Sequence, residues 1–276
     1  MIYLYPILKK LSTWSVDETV QAILNYYQTH GSVVVNYLYG ANIVKYKLLD
    51  QTNNPYKSSL LESDFVLPDG IALRTLWMIW YWCWIIDRPS TIYNLNGTDF
   101  VHHILDYVSR QSHVHLSIYC NYDHRLQIGS GMLIAWSRRY LDKMYHIKLS
   151  YAVDRYYHGQ DTRNWSDYDA SVDHWTKLKI ILICTGTPHQ ELWIHTHRQA
   201  IADRGCIVLA QGGTLDFWTG QESRAPLWIR NLHLEFFYRL IANPRKNWKK
   251  VLISLMMIWI IISHPIRILV KKMLCL

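Results

Sequence analysis

Four short clusters in the chain bring carboxylates, amides, glycines and arginines to places where they could handle protons and phosphates. Leu67-Pro68-Asp69-Gly70 ends an apolar run with a carboxylate. Pro68 fixes one backbone angle and Gly70 permits an unusual one, so Asp69 is expected to be held rigidly. It would serve either as an acid-base group in a cleft or as a turn residue capping the next helix. Asn94 to Asp99 (NLNGTD) precedes a helical stretch, Phe100 to Val108. Backbone N–H groups around Gly97 and Asp99 could meet a phosphate there, or Thr98 or Asp99 could simply cap the helix. Thr185 to Glu191 (TGTPHQE) follows the strongest apolar run, with Gln190 and Glu191 expected at the start of a helix; such a turn suits sugar hydroxyls or a diphosphate. The densest cluster runs from Gly212 to Gly220 (GGTLDFWTG) and on to Arg224-Ala225-Pro226, with Asp216 and Arg224 as candidate ligand contacts. Arg224, Arg230, Arg239 and Arg245 lie among aromatic residues. Guanidinium forks bind phosphate oxygens in pairs, so they could form a diphosphate clamp; the alternative is a solvated basic helix face.

These clusters need elements to hold them. Val33 to Val35 read as a short strand ending in a loop at Gly40, followed by helical character from Ile43 to Asp50. DFVLPDG (64–70), HLSIYC (115–120), HIKLSYAV (146–153), KLKIILICTG (177–186) and CIVLAQGG (206–213) are further apolar runs, separated by segments long enough for helices. The first part, to about Ser32, has helical spacing, with Ser15 and Asp17 near its start and Gly31 as its stop. Strands alternating with helices specify an α/β domain with a Rossmann-like, mostly parallel sheet, and ligands of such sheets bind beyond the strands' carboxyl ends. The expected division is an α/β core over residues 1–220 and a basic, apolar appendage over 221–276.

The charge sits in that appendage. Glu235 is the last acidic residue, and the eight cations from Arg239 to Lys272 equal the formal excess of +8. A neutral body with a cationic tail points to an anionic surface met by one end rather than to nucleic acid. The apolar runs 76–86 and 251–262 are each about a dozen residues, against the roughly 20 that cross a bilayer. The second, followed by Pro265 and interspersed cations, reads as an interfacial helix lying on a membrane, with a spanning helix through Pro265 as the alternative. The cysteines at 83, 120, 184, 206 and 275 are odd in number and unpaired in pattern, which excludes a disulfide framework and fits a reducing cytoplasm. Lys9 and Lys10 interrupt the N-terminal apolar stretch, against a secretory signal. His189, His195 and His197 lack an HExxH or DxD context, so no metal site is expected. No GxGxxG follows a strand, which disfavours a nicotinamide enzyme.

Taken in order and at this spacing, LPDG, NGTD, GTPHQE, QGGTLDFWTGQESRAPLWI and LEFFYRLIANPRK resemble the WecG/TagA/CpsF glycosyltransferases, glycosyltransferase family 26, over about residues 33–250. The resemblance implies a Rossmann-like enzyme that is metal-independent and needs no cofactor. Its donor would be a UDP-sugar, of N-acetylmannosamine type or another hexose or uronic acid. Its acceptor would be a sugar linked to undecaprenyl diphosphate, extended with inversion in surface or exopolysaccharide biosynthesis at the inner face of the cell membrane. It further implies Asp69 as general base, Gln190 as a substrate-contacting glutamine and Asn42 as the asparagine of a TxN motif. Arg239, with Arg245 or Lys246 and Lys249, would neutralise the departing UDP. The pattern departs from the family at Gly40, where the TxN threonine falls, at Asn94, where an arginine is frequent, and in the aromatic insertion between Arg74 and Asp87. A competing reading is a non-catalytic, membrane-associated subunit of a polysaccharide assembly complex, which retains the fold with an altered site.

Overall fold

Ser15 and Glu18 fix the start of the long N-terminal helix. Ser15 Oγ accepts from the Glu18 N–H at 3.4 Å, and Glu18 accepts from the Ser15 N–H at 2.8 Å. This reciprocal cap satisfies two of the donors that a helix start leaves open. Gly31, left-handed at φ +77°, ends the helix. The computed structural model describes residues 4–50, 54–82, 89, 92–110, 113–120, 130–145, 147, 149–153, 165, 168–170, 172, 176–219, 222–231, 235–242, 244, 248, 252, 253, 256, 259 and 263. The N-terminal stretch therefore forms two helices, α1 (Tyr5–Lys10) and α2 (Val16–His30).

The apolar runs become strands β1 (Val33–Tyr39), β2 (Phe65–Asp69), β3 (Val114–Cys120), β4 (Leu149–Val153), β5 (Leu178–Cys184) and β6 (Ile207–Ala210). Among the described residues they form one parallel sheet in the order β2-β1-β6-β5-β3-β4. Strand β1 is longer than its valine run. It continues through Asn36 to Tyr39: Asn36, fully buried, donates its Nδ2 to Ser63 Oγ at 2.8 Å, while its Oδ1 has no hydrogen-bond partner among the described residues. Gly40 accordingly opens helix α3 (Gly40–Lys45) rather than lying in a loop, and helical character ends at Lys45 rather than Asp50.

Further helices are α4 (Pro55–Glu62), α5 (Ile71–Trp82), α6 (Gly97–Ser109), α7 (Ser130–Tyr145), α8 (His189–Thr196), α9 (Arg198–Arg204), α10 (Thr214–Trp218), α11 (Leu227–Asn231) and α12 (Glu235–Ala242). Successive residues of a strand face opposite sides. Val35, Tyr37 and Leu67 thus pack with α2, α6 and α8 in the main core, while Leu38 and Val66 pack with α1, α3, α4 and α5 in a second one. The aromatic run lies in α5 as far as Trp82, its residues 83–86 falling outside the described ones; Trp77 and Trp80 are fully buried in that second core and Trp82 is exposed. Helix α5 is thus a core helix. No helix among the described residues is long and apolar enough to cross a membrane.

Candidate active site

From β1 the chain builds outward to β2; it then lays β3 and, outward of it, β4 in the other half of the sheet, and returns inward through β5 to β6, which joins the two halves. The carboxyl ends flanking that divergence are where a parallel sheet offers a crevice. Asp69, Gly40, Thr185 and Gln211 all stand at or just past those ends.

On the β2–β1 side, Asp69 closes β2 in register with Tyr39 and is half-buried. Gly70 follows at φ +89°, and a Cβ there would meet the Tyr39 ring at 3.0 Å, so the turn requires glycine twice over. Its N–H donates to Asn94 Oδ1 at 2.8 Å, and the Leu95 N–H donates to the Pro68 carbonyl at 2.9 Å. Asn42, on α3, donates from Nδ2 to the buried Tyr56 hydroxyl at 3.0 Å. Burial pushes the Tyr56 hydroxyl well up, and the charges of Glu191 and Asp69 add to the effect. Tyr56 therefore lies within the field of both carboxylates.

On the β5–β6 side the polar groups are deeper. Gln190 and Glu191 open α8 and are both buried. Glu191 Oε1 accepts from Thr187 Oγ1 at 2.9 Å and from Gln190 Nε2 at 3.0 Å, while Gln190 Oε1 and Glu191 Oε2 have no partner among the described residues. Burial drives the Glu191 carboxyl up to about 7, against the hydrogen bonds from Gln190 and Thr187. A Cβ at Gly212 would meet Gln190 Oε1 at 2.9 Å and Gly186 Cα at 3.1 Å, so the two strand-end loops touch only because position 212 has no side chain. Gln211 joins the sides: its Nε2 donates to the Tyr37 hydroxyl at 2.7 Å, and its Oε1 accepts from Thr214 Oγ1 at 2.9 Å.

The NGTD segment opens α6 with neither Thr98 nor Asp99 as its cap. Asn96 takes that role, accepting from the Asp99 N–H at 3.0 Å. Gly97 lies against Gln211. The Asp99 carboxylate accepts from Arg224 and, at 3.5 Å, from Arg230; Arg224 also stands over the Phe217 ring and 3.9 Å from Glu235. Burial pushes the Asp99 carboxyl up, but the hydrogen bonds from Arg224 and Asn96 and the two arginine charges outweigh it and hold it below the ordinary value. Asp99 and Arg224 thus bind each other, tying the segment after Gly220 to the core.

Asn42 bonds the Tyr56 hydroxyl, which feels the charges of Asp69 and Glu191, while Gln190 bonds Glu191 and Gly97 lies beside Gln211. Asp216 lies on α10, half-buried. Arg239 lies on α12, but its side chain and residues 245, 246 and 249 fall outside the described residues. His195 pairs with Glu62 at 2.9 Å and His197 stacks on Trp193 at 4.2 Å, which accounts for both rings. Among the described residues no group of three metal-ligating side chains is gathered, and Cys120, Cys184 and Cys206 are buried cysteines outside any disulfide. Tyr37, Tyr56 and Gln211 were not singled out in sequence, and Asn94 was noted only at the start of the NLNGTD cluster and as a departure from the family pattern; of the first three, Gln211, directly before the glycine pair, carried a local signal.

Among characterised proteins, the chain is similar to two enzymes each named N-acetylglucosaminyldiphosphoundecaprenol N-acetyl-beta-D-mannosaminyltransferase. With the one from Bacillus subtilis it is 40% identical over 73 residues, 26% of this chain and 27% of the relative. With the one from Bacillus spizizenii it is 26% identical over 200 residues, 72% of this chain and 68% of the relative. The model of the glycosyl transferase WecG/TagA/CpsF family matches residues 6–269, nearly the whole chain including every strand of the sheet, and the protein therefore belongs to that family of glycosyltransferases.

Proposed function

We propose that the protein transfers a sugar from a UDP-sugar to a sugar linked to polyprenyl diphosphate, with inversion at the anomeric carbon. The Asp69 carboxylate takes the proton of the acceptor hydroxyl as its oxygen bonds to that carbon. The bond from carbon to UDP oxygen breaks, and UDP leaves with its electron pair. One base on the face opposite the leaving group suffices for this step. The observation that carries the reading is Asp69 itself: a half-buried carboxylate at the carboxyl end of β2, in a turn shaped by Gly70, beside the crevice of a family fold. The relatives' names support the acceptor class, an undecaprenyl-diphosphate-linked N-acetylglucosamine, and an N-acetylmannosamine-type donor.

In this reading the cations from 239 to 249 neutralise the departing diphosphate, and no metal ion is needed. Leu227, Trp228, Phe237 and Ile241 are exposed along the basic C-terminal segment, which supports a peripheral seat on the inner face of the cell membrane. Asp69→Asn is expected to lower turnover by about 10² to 10⁴-fold while calorimetric UDP binding persists. Unchanged turnover removes Asp69 as the base. A panel of UDP-sugars with a short-chain prenyl-diphosphate acceptor identifies the donor, and a wild-type protein that binds no UDP defeats the enzymatic reading altogether.

A further inference from the structure

We propose that Asn94 is a positioning residue for Asp69, holding the turn that aims the carboxylate; this rests on the reading of Asp69 as the base. The two backbone groups that flank Asp69 are both held by consecutive residues of one segment. Ahead of it, the Pro68 carbonyl accepts from the Leu95 N–H at 2.9 Å. Behind it, the Gly70 N–H donates to Asn94 Oδ1 at 2.8 Å. A carboxylate whose neighbours on either side are both tethered cannot swing with its backbone. The tether is itself anchored: Ile92 and Leu95 are each 1% exposed, the first in the second core and the second in the main core. On the far side, Gly70 at φ +89° closes on the Tyr39 ring, leaving the turn no slack. The segment then runs directly into the Asn96 cap of α6.

Asn94 suits this role by its chemistry. Its carboxamide oxygen offers the Gly70 N–H a neutral acceptor, so the clamp adds no charge beside Asp69. An arginine at the same position has only donors and could not accept that bond. Among the described residues, the buried Tyr37 and Tyr56 hydroxyls feel the charge of Asp69, and Glu191 shares the field at Tyr56.

The test is steady-state kinetics of the full chain with donor and acceptor, over a pH series. Asn94→Ala removes the acceptor and should lower kcat about ten- to a hundredfold, with both KM values within about twofold of wild type. Asn94→Asp keeps an acceptor for Gly70 but sets a second carboxylate beside the first. It should move the acid limb of the kcat/KM profile up by about one pH unit, because like charges disfavour each other's ionisation. Wild-type kcat in Asn94→Ala, a rise in KM with kcat unchanged, or an acid limb of Asn94→Asp that stays in place overturns the proposal. If Asn94→Ala does not fold, the pH profile of Asn94→Asp decides alone. An active Asp69→Asn variant overturns the base assignment and this proposal together, whereas an inert one beside unaltered Asn94 variants overturns only this proposal.

Discussion

The two sides of the crevice handle a carboxylate in opposite ways. On the β2–β1 side Asp69 is half-exposed, and its position is set by backbone, through Pro68, Gly70 and the segment at 94–95. On the β5–β6 side Glu191 has no exposure, and both it and Gln190 keep a polar oxygen without a partner among the described residues. One side is built by geometry and left wet. The other is built by desolvation, with the carboxyl raised to about 7. A sheet can thus set two carboxyl groups in different surroundings, by placing one at a strand's last residue and the other on the first turn of a buried helix.

The contrast is sharpened first by pH. The ordinary glutamate value is 4.5, and the folded protein raises it to about 7. The folded state therefore holds that proton more tightly than the unfolded chain does. Its stabilising effect is complete below 4.5 and is lost as pH rises through 7, amounting to about 3 kcal/mol at most. Urea unfolding of wild type should show this loss between pH 5 and pH 8, and Glu191→Gln should lack it; parallel pH dependence in the two proteins would erase the difference between the sides. A smaller effect concerns the tie between NGTD and the segment after Gly220. A double-mutant cycle of Asp99→Ala and Arg224→Ala should give a coupling of about 1 kcal/mol, towards the low end for a contacting pair because Asp99 is 41% exposed. A coupling near zero would free Arg224 to act on ligands alone. Smallest in stability is Trp228→Ser with Phe237→Ser, which should change unfolding by no more than about 0.5 kcal/mol yet weaken sedimentation with anionic vesicles severalfold. Unaltered sedimentation would remove these two residues from membrane contact.

Most of the fold was legible in the sequence because β-branched runs ending in Gly or Asp announce parallel strands. What escaped was local and physical. Asn36 disguised the length of β1, since the bond from its Nδ2 to Ser63 is a tertiary fact. The aromatic run of α5 has the composition of a membrane segment, and only its two buried tryptophans show that it lines a core. Asp69, closing β2, and Gln190, on the first turn of α8, stand at the turns that Gly and Pro marked in the sequence. The pairs that organise the crevice, Asn42 with Tyr56 and Tyr37 with Gln211, were not legible there. Their partners lie 14 and 174 positions apart, and no periodicity links them. Asp99 and Arg224 were visible as charges, but their mutual attachment was not.

Among the described residues, strand β6 alone bridges the two halves of the sheet, pairing with β1 through Val33–Ile207 and with β5 through Ile180–Ile207. While the chain emerges from the ribosome, β1 and β5 must each wait with an open, apolar hydrogen-bonding edge until residue 210 is free. An unpaired edge of that kind recruits other strands. The crevice comes into being at the same moment, so a chain terminated before it would be both inert and sticky, and safe handling of this protein during synthesis depends on the four residues of β6.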